Sequence, residues 1–174
     1  MNRRQVLAGA GGLALTGGAV WVAFGRESAS DFAVTVDTLE APGSEAGTQR
    51  LPVPGTVTLL DLFATWCLPC KAQMRSLRPV YEEYTDEVAF VSVTNEQFGG
   101  GLTRADVRQW WEDHDGDWTL GHDPASVVHQ QVGASGLPYL VLTDAEGQVV
   151  WSHSGVASES RLREEIESAL AGGP

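Results

Sequence analysis

Only two cysteines occur in the 174 residues, and both lie in one tetrapeptide, Cys67-Leu68-Pro69-Cys70. A disulfide that staples a fold usually joins distant segments, and one that closes so short a loop removes little chain entropy. The pair is therefore placed for chemistry. A Cys-x-x-Cys directly after an apolar strand and at the start of a helix reads as a redox motif. At a helix N-terminus Cys67 faces unpaired backbone N–H groups and the positive end of the helix dipole, which stabilise a thiolate and depress its pKa. Cys70 follows one turn on along the same face, where it can close a disulfide with Cys67. Metal binding fits poorly. A zinc knuckle needs two more Cys or His at matching spacing, and the nearest His is 44 residues away. A copper-chaperone pair would be one residue longer, and a peroxidase cysteine belongs in a different loop context. The redox reading needs no bound cofactor.

A second chemical group precedes the pair. Asp61 interrupts the apolar run Val57-Thr58-Leu59-Leu60-Asp61-Leu62-Phe63. A carboxylate held there loses hydration, titrates high, and can take the proton of Cys70 during exchange. The alternative is a strand-end Asp that reaches water or caps a backbone group. Trp66 is expected at the disulfide's edge, shaping a docking surface, although core packing alone would look the same in sequence. His114, His122, His129 and His153 are scattered and read as surface or capping residues. Trp110 and Trp111 face different sides of one helical turn, so one is expected in the core and the other at the surface.

The elements that position these groups follow from periodicity. The Val57–Phe63 run is a strand buried on both faces, as in the middle of a parallel sheet. A helix follows from Cys67 to about Thr85, with Met74, Leu77, Tyr81 and Tyr84 at three- and four-residue spacing. Val88 to Thr94 is the next strand, followed by a Gly99-Gly100-Gly101 loop. Thr103-Arg104-Ala105-Asp106 opens a helix as a capping box, and Asp123-Pro124 opens another, with an N-cap acid and Pro at the first helical position. Gly136-Leu137-Pro138 leads into a hairpin of Tyr139 to Thr143 and Gln148 to His153, turned by Asp144-Ala145-Glu146-Gly147. Ser158 to Leu170 forms the last helix. Before this core lies one alternating strand, Phe32 to Val36, and a loop over 41–55. The order β-α-β-α-(α)-β-β-α predicts an α/β fold with a mixed central sheet and helices on both faces.

The segment Asp61-Leu62-Phe63-Ala64-Thr65-Trp66-Cys67-Leu68-Pro69-Cys70 resembles the active site of the thioredoxin superfamily. From Asp31 to the last helix the chain is similar to its extracytoplasmic TlpA/ResA-like branch, with Phe63-Ala64-Thr65-Trp66-Cys67, Gly136-Leu137-Pro138 and Asp144-Ala145-Glu146-Gly147 as the specific echoes. The resemblance implies a thioredoxin-like fold over 31–174, Cys67 as attacking cysteine, Cys70 as resolving thiol, and a cis-proline at Pro138 opposite them. A cis bond there leaves backbone groups of Leu137 free to pair with an extended substrate. Three positions depart from the branch, one of them Arg75, five residues after Cys70, where a helix Pro is often found. Asp61 stands where Asn is common, matching thioredoxin's buried acid instead. Gln73 stands three residues after Cys70, where relatives carry a functional Glu, and it cannot titrate.

Composition sets the compartment and the partners. The formal net charge is −12, and from Asp31 onward eight Lys and Arg face 22 Asp and Glu. Such a chain repels nucleic acid and anionic membranes. With ten Arg and a single Lys, Lys71, it also resembles proteins of high-salt environments. Residues 1–30 begin Asn2-Arg3-Arg4 and continue in an uncharged stretch from Val6 to Phe24. They read as a twin-arginine-type signal peptide or an N-terminal membrane anchor. The sequence thus predicts an exported monomer that exchanges disulfides with protein substrates and draws electrons from a membrane partner. The most favoured reading is a reductase, for example in cytochrome c maturation. The competing readings are an oxidase of exported thiols and a non-catalytic thioredoxin-fold binding or chaperone module.

Overall fold

A computed structural model describes residues 32–172; the proposed leader at 1–30 lies outside them. Seven strands form one mixed sheet in the order β2-β1-β5-β4-β3-β6-β7. Its centre is β3 (Val57–Phe63), in which every residue is buried, as the unbroken apolar run requires. β3 pairs in parallel with β4 (Val88–Thr94), which pairs in parallel with β5 (Thr119–His122). On the other side β6 (Tyr139–Thr143) runs antiparallel to β3, and β7 (Val149–Ser154) closes the expected hairpin.

The helices cover both faces. α1 (Leu68–Tyr84), α2 (Arg104–Asp113) and α4 (Glu159–Ala171) send Met74, Leu77, Trp111, Leu162 and Ile166 into one core with Leu59 and Phe63 of β3. α3 (Val127–Gln131) covers the opposite face, where Val128 joins Leu60, Leu62, Val91 and Val141. Alternation along β3 thus sends Leu59, Asp61 and Phe63 one way and Leu60 and Leu62 the other. No helix among the described residues is long and apolar enough to cross a membrane.

Several expectations are corrected. The lead-in strand β1 is Val34–Thr38, two residues later than its apolar alternation suggested, and the 41–55 loop contains a strand, β2 (Gly47–Leu51). β2 is mostly exposed and polar, so it lacks the hydrophobic period that marks a strand; its backbone pairs antiparallel with β1 at the sheet edge. β5 also escaped the sequence reading, because four residues ending in Gly121-His122 are too few to show a period. Asp123 does not cap a helix starting at Pro124. Its backbone carbonyl accepts from Ser126, its carboxylate accepts from the Val128 N–H at 2.8 Å, and the helix begins only at Val127.

The capping box at Thr103 and Asp106 forms as expected. Trp110 and Trp111, expected on opposite sides of the surface boundary, are both buried. Trp110 stacks on Phe63 at 4.8 Å, and the Trp111 indole donates to the Pro42 carbonyl at 3.0 Å. His122 is buried too. Its Nε2 bonds the Glu96 carbonyl at 2.8 Å and its ring stacks on Phe98 at 4.2 Å. His114 does act at a helix end, closing α2 with Nδ1 at 2.6 Å from the Trp110 carbonyl.

Candidate active site

The chain leaves the carboxyl end of β3 through Ala64-Thr65-Trp66 and enters α1 with Cys67 as N-cap. The Cys67 Sγ accepts the backbone N–H of Cys70 at 3.2 Å, so this sulfur occupies the place of a capping side chain. Cys67 and Cys70 form a disulfide, with Cα atoms 5.3 Å apart. Both cysteines are buried, whereas their neighbours Trp66 and Leu68 are 74% and 75% exposed. Two large apolar side chains standing in water on either side of Cys67 contribute nothing to the core. They leave an exposed apolar surface on either side of the buried Cys67.

Register brings the other groups to the same end of the sheet. Tyr139 lies opposite Leu62, so Leu137 and Pro138, just before it, flank the point where β3 runs into the active-site loop. The Leu137–Pro138 bond is cis, as the resemblance implied; a second cis bond, Leu51–Pro52, was not anticipated. The Pro138 carbonyl is taken by the N–H of Gly155 at 2.9 Å. Leu137 is half-buried and packs against both core clusters.

Asp61 is 3% exposed and does not reach water from a strand end. Strand alternation turns it toward the cluster that contains Cys67 and Cys70. Burial pushes its carboxyl up from 3.8 to about 7, partly opposed by a hydrogen bond from Ser92 Oγ to Oδ2 at 2.9 Å. The other oxygen, Oδ1, is buried without a hydrogen-bond partner among the described residues.

Two residues that the sequence did not single out complete the site. Phe63 pairs with Thr94, so the loops following β3 and β4 leave the sheet side by side. Glu96, two residues beyond β4, accepts from the Thr65 N–H and the Thr65 hydroxyl, both at 2.7 Å, and from the Thr94 hydroxyl at 3.1 Å. One carboxylate thereby ties down the loop two residues before Cys67. The usable signal was positional, because groups beyond the carboxyl ends of adjacent parallel strands converge. Ser92 was the second omission, a polar residue in register with Asp61 inside an apolar strand.

Gln73 has a different task from the Glu of the resembled branch. Fully buried, it accepts the Ala157 N–H at 2.7 Å and donates to the Ala157 carbonyl at 3.4 Å. An amide supplies both halves of that clamp at any pH, and so joins α1 to the loop entering α4. For metal, no three His, Cys, Asp or Glu side chains gather into a ligand set among the described residues.

A cysteine pair at the N-cap of the helix after a central parallel strand, with a cis-proline loop beside it, defines the thioredoxin-fold class of redox proteins. The chain belongs to the Redoxin family, whose model matches residues 27–170. It is 26% identical to the thiol-disulfide oxidoreductase ResA of Oceanobacillus iheyensis over 115 residues, 66% of this chain and 57% of ResA. It is 22% identical to the thiol:disulfide interchange protein CycY of Rhizobium leguminosarum over 118 residues, 68% of this chain and 60% of CycY. The chain spans about three fifths of the length of these two curated relatives. The crystal structure of StoA from Bacillus subtilis shares the fold, with a TM-score of 0.64 at 18% identity over 79% of this chain and 98% of StoA.

Proposed function

We propose that the protein is an extracytoplasmic thiol-disulfide oxidoreductase that reduces disulfides of exported proteins through Cys67 and Cys70. The observation that carries this reading is the cysteine pair itself: bonded to each other, capped at a helix N-terminus, and bordered by exposed Trp66 and Leu68. The printed names of ResA and CycY support carrying thiol-disulfide exchange over to this chain. The leader-like residues 1–30 support export.

The reaction starts from the reduced pair. The Cys67 thiolate attacks one sulfur of a substrate disulfide. A mixed disulfide forms, and the first substrate thiolate leaves and takes a proton. Asp61 removes the proton of Cys70, whose thiolate attacks Cys67 Sγ and releases the second substrate thiolate. Two electrons pass to the substrate and the Cys67–Cys70 disulfide remains. A membrane-bound dithiol donor returns the two electrons. Trp66, Leu137 and Pro138 form the docking edge.

The test has two parts. Cys70→Ser should accumulate mixed disulfides through Cys67, because resolution is blocked while attack is intact. Absence of adducts, together with no exchange by wild-type protein, would favour a binding module. Redox titration then sets the direction: a potential near about −270 mV supports a reductase, and one near about −120 mV an oxidase.

A further inference from the structure

Ser92 lies directly across the sheet from Asp61, and its hydroxyl is fully buried. It meets two partners. The Trp118 indole N–H donates to Ser92 Oγ at 2.9 Å, and Ser92 Oγ donates to Asp61 Oδ2 at 2.9 Å. An indole N–H can only donate, so Ser92 must accept there, and its single proton is directed to Asp61. The indole cannot swing away. It is buried and wedged against Trp111 and Tyr81, each with ring centroids at 5.1 Å, and against Phe90 at 6.2 Å.

We infer that Trp118 and Ser92 act as a donor relay that reserves Asp61 Oδ2 as an acceptor, so that the proton exchanged with Cys70 is carried on Oδ1. Oδ1 is the oxygen left buried without a partner among the described residues, and it belongs to a side chain on the face that holds the cysteine pair. In the ionised form the relay supports the negative charge; in the neutral form Oδ2 stays a carbonyl acceptor and the hydroxyl forms at Oδ1. Ser92 and Trp118 are positioning residues, since neither acts on sulfur. The inference rests on the reading that Asp61 accepts the Cys70 proton.

The surroundings of Asp61 leave the relay as its chief polar influence. β4 offers Ser92 and β6 offers Leu140 in register. α1 brings Cys67 and Cys70, and further along its length Tyr81 and Tyr84; the Tyr84 hydroxyl bonds Glu167 of α4 at 3.1 Å. α4 otherwise brings Leu162 and Ile166, and α2 brings Trp110 and Trp111. Among the described residues no charged side chain shifts Asp61; burial raises its pKa and the Ser92 hydroxyl partly opposes this.

The experiment titrates the oxidised protein, in which the bonded cysteines do not ionise, by carboxyl-carbon and indole-nitrogen NMR. The Trp118 N–H signal should follow the Asp61 midpoint. Ser92→Ala should raise that midpoint by roughly one to two pH units, as expected for losing one hydrogen bond to a carboxylate. Ser92→Thr, which keeps the hydroxyl, should restore it, and Trp118→Phe should raise it by less. Should Ser92→Ala not fold, the Trp118→Phe shift decides. An unchanged midpoint in the folded variants overturns the relay and leaves the proton-acceptor reading standing. If instead the midpoint moves but Asp61→Asn keeps the wild-type pH profile of Cys70-dependent resolution, the acceptor reading fails and Oδ1 loses its exchange role. The result expected is a Cys70-dependent resolution step whose pH midpoint is higher in Ser92→Ala than in wild type, by the same amount as the Asp61 midpoint.

Discussion

Asp61 shows what burying a single carboxyl costs in stability. Its carboxyl ionises near 3.8 in the unfolded chain and near about 7 in the fold, because burial strips hydration that one serine hydroxyl does not replace. Between those values the folded protein holds a proton that the unfolded chain has released. The stability this group contributes is therefore full below about pH 4, declines as pH rises to about 7, and stays low above it. The difference amounts to about 4 kcal/mol. Urea unfolding across pH 4 to 8 should show that decline in wild type and lose it in Asp61→Asn, which should be the more stable protein at pH 8. A wild-type slope that survives the substitution would assign the effect to other groups. Gln73 gives a second prediction at this scale. Gln73→Ala leaves the N–H and carbonyl of Ala157 unpaired in a buried site and should cost about 1–3 kcal/mol in the same assay. Gln73→Glu keeps the acceptor and, only while protonated, the donor, so its recovery should shrink as pH rises.

At the level of elements, the site depends on where neighbouring parallel strands end. β3 delivers Thr65, Trp66 and Cys67, β4 delivers Glu96, and the Glu96 carboxylate joins the two loops at Thr65. Glu96→Ala should slow disulfide exchange severalfold while the Asp61 midpoint stays in place. Parallel measurement of exchange rate and Asp61 titration separates a loosened loop from altered proton transfer. A rate equal to wild type would show that the Thr65 anchor is dispensable. Central elements were legible in sequence because burial imposes a pattern: the apolar run gave β3, the 3.6-residue period gave α1, and Thr103 with Asp106 marked the start of α2. β2 and β5 were not legible. One is a polar edge strand and the other only four residues long, and both owe their form to pairing with neighbours rather than to a period of their own.

For the molecule as a whole, charge is the governing quantity. Exposed Arg–carboxylate pairs such as Arg78–Glu82, Arg108–Glu112 and Arg163–Glu83 contribute little to stability, and salt weakens them further. Repulsion within a chain of net charge −12 acts in the opposite direction and is also screened. Because acids so outnumber bases, repulsion should win, and the melting temperature should rise between about 0.05 and 1 M NaCl. A flat or falling Tm would show that the local pairs dominate. The sequence by itself determined the cysteine pair, the acid before it and the central α/β elements, since local spacing and burial patterns are written along the chain, whereas the cis-proline beside the pair followed from the resemblance. Tertiary structure alone decided that Glu96 holds Thr65, that Gln73 clamps Ala157, that both Trp110 and Trp111 enter the core, and that Ser92 and Trp118 leave Oδ1 of Asp61 free. Each of those contacts joins residues brought together by strand register or helix packing, and no local pattern encodes which distant partner a polar side chain will meet.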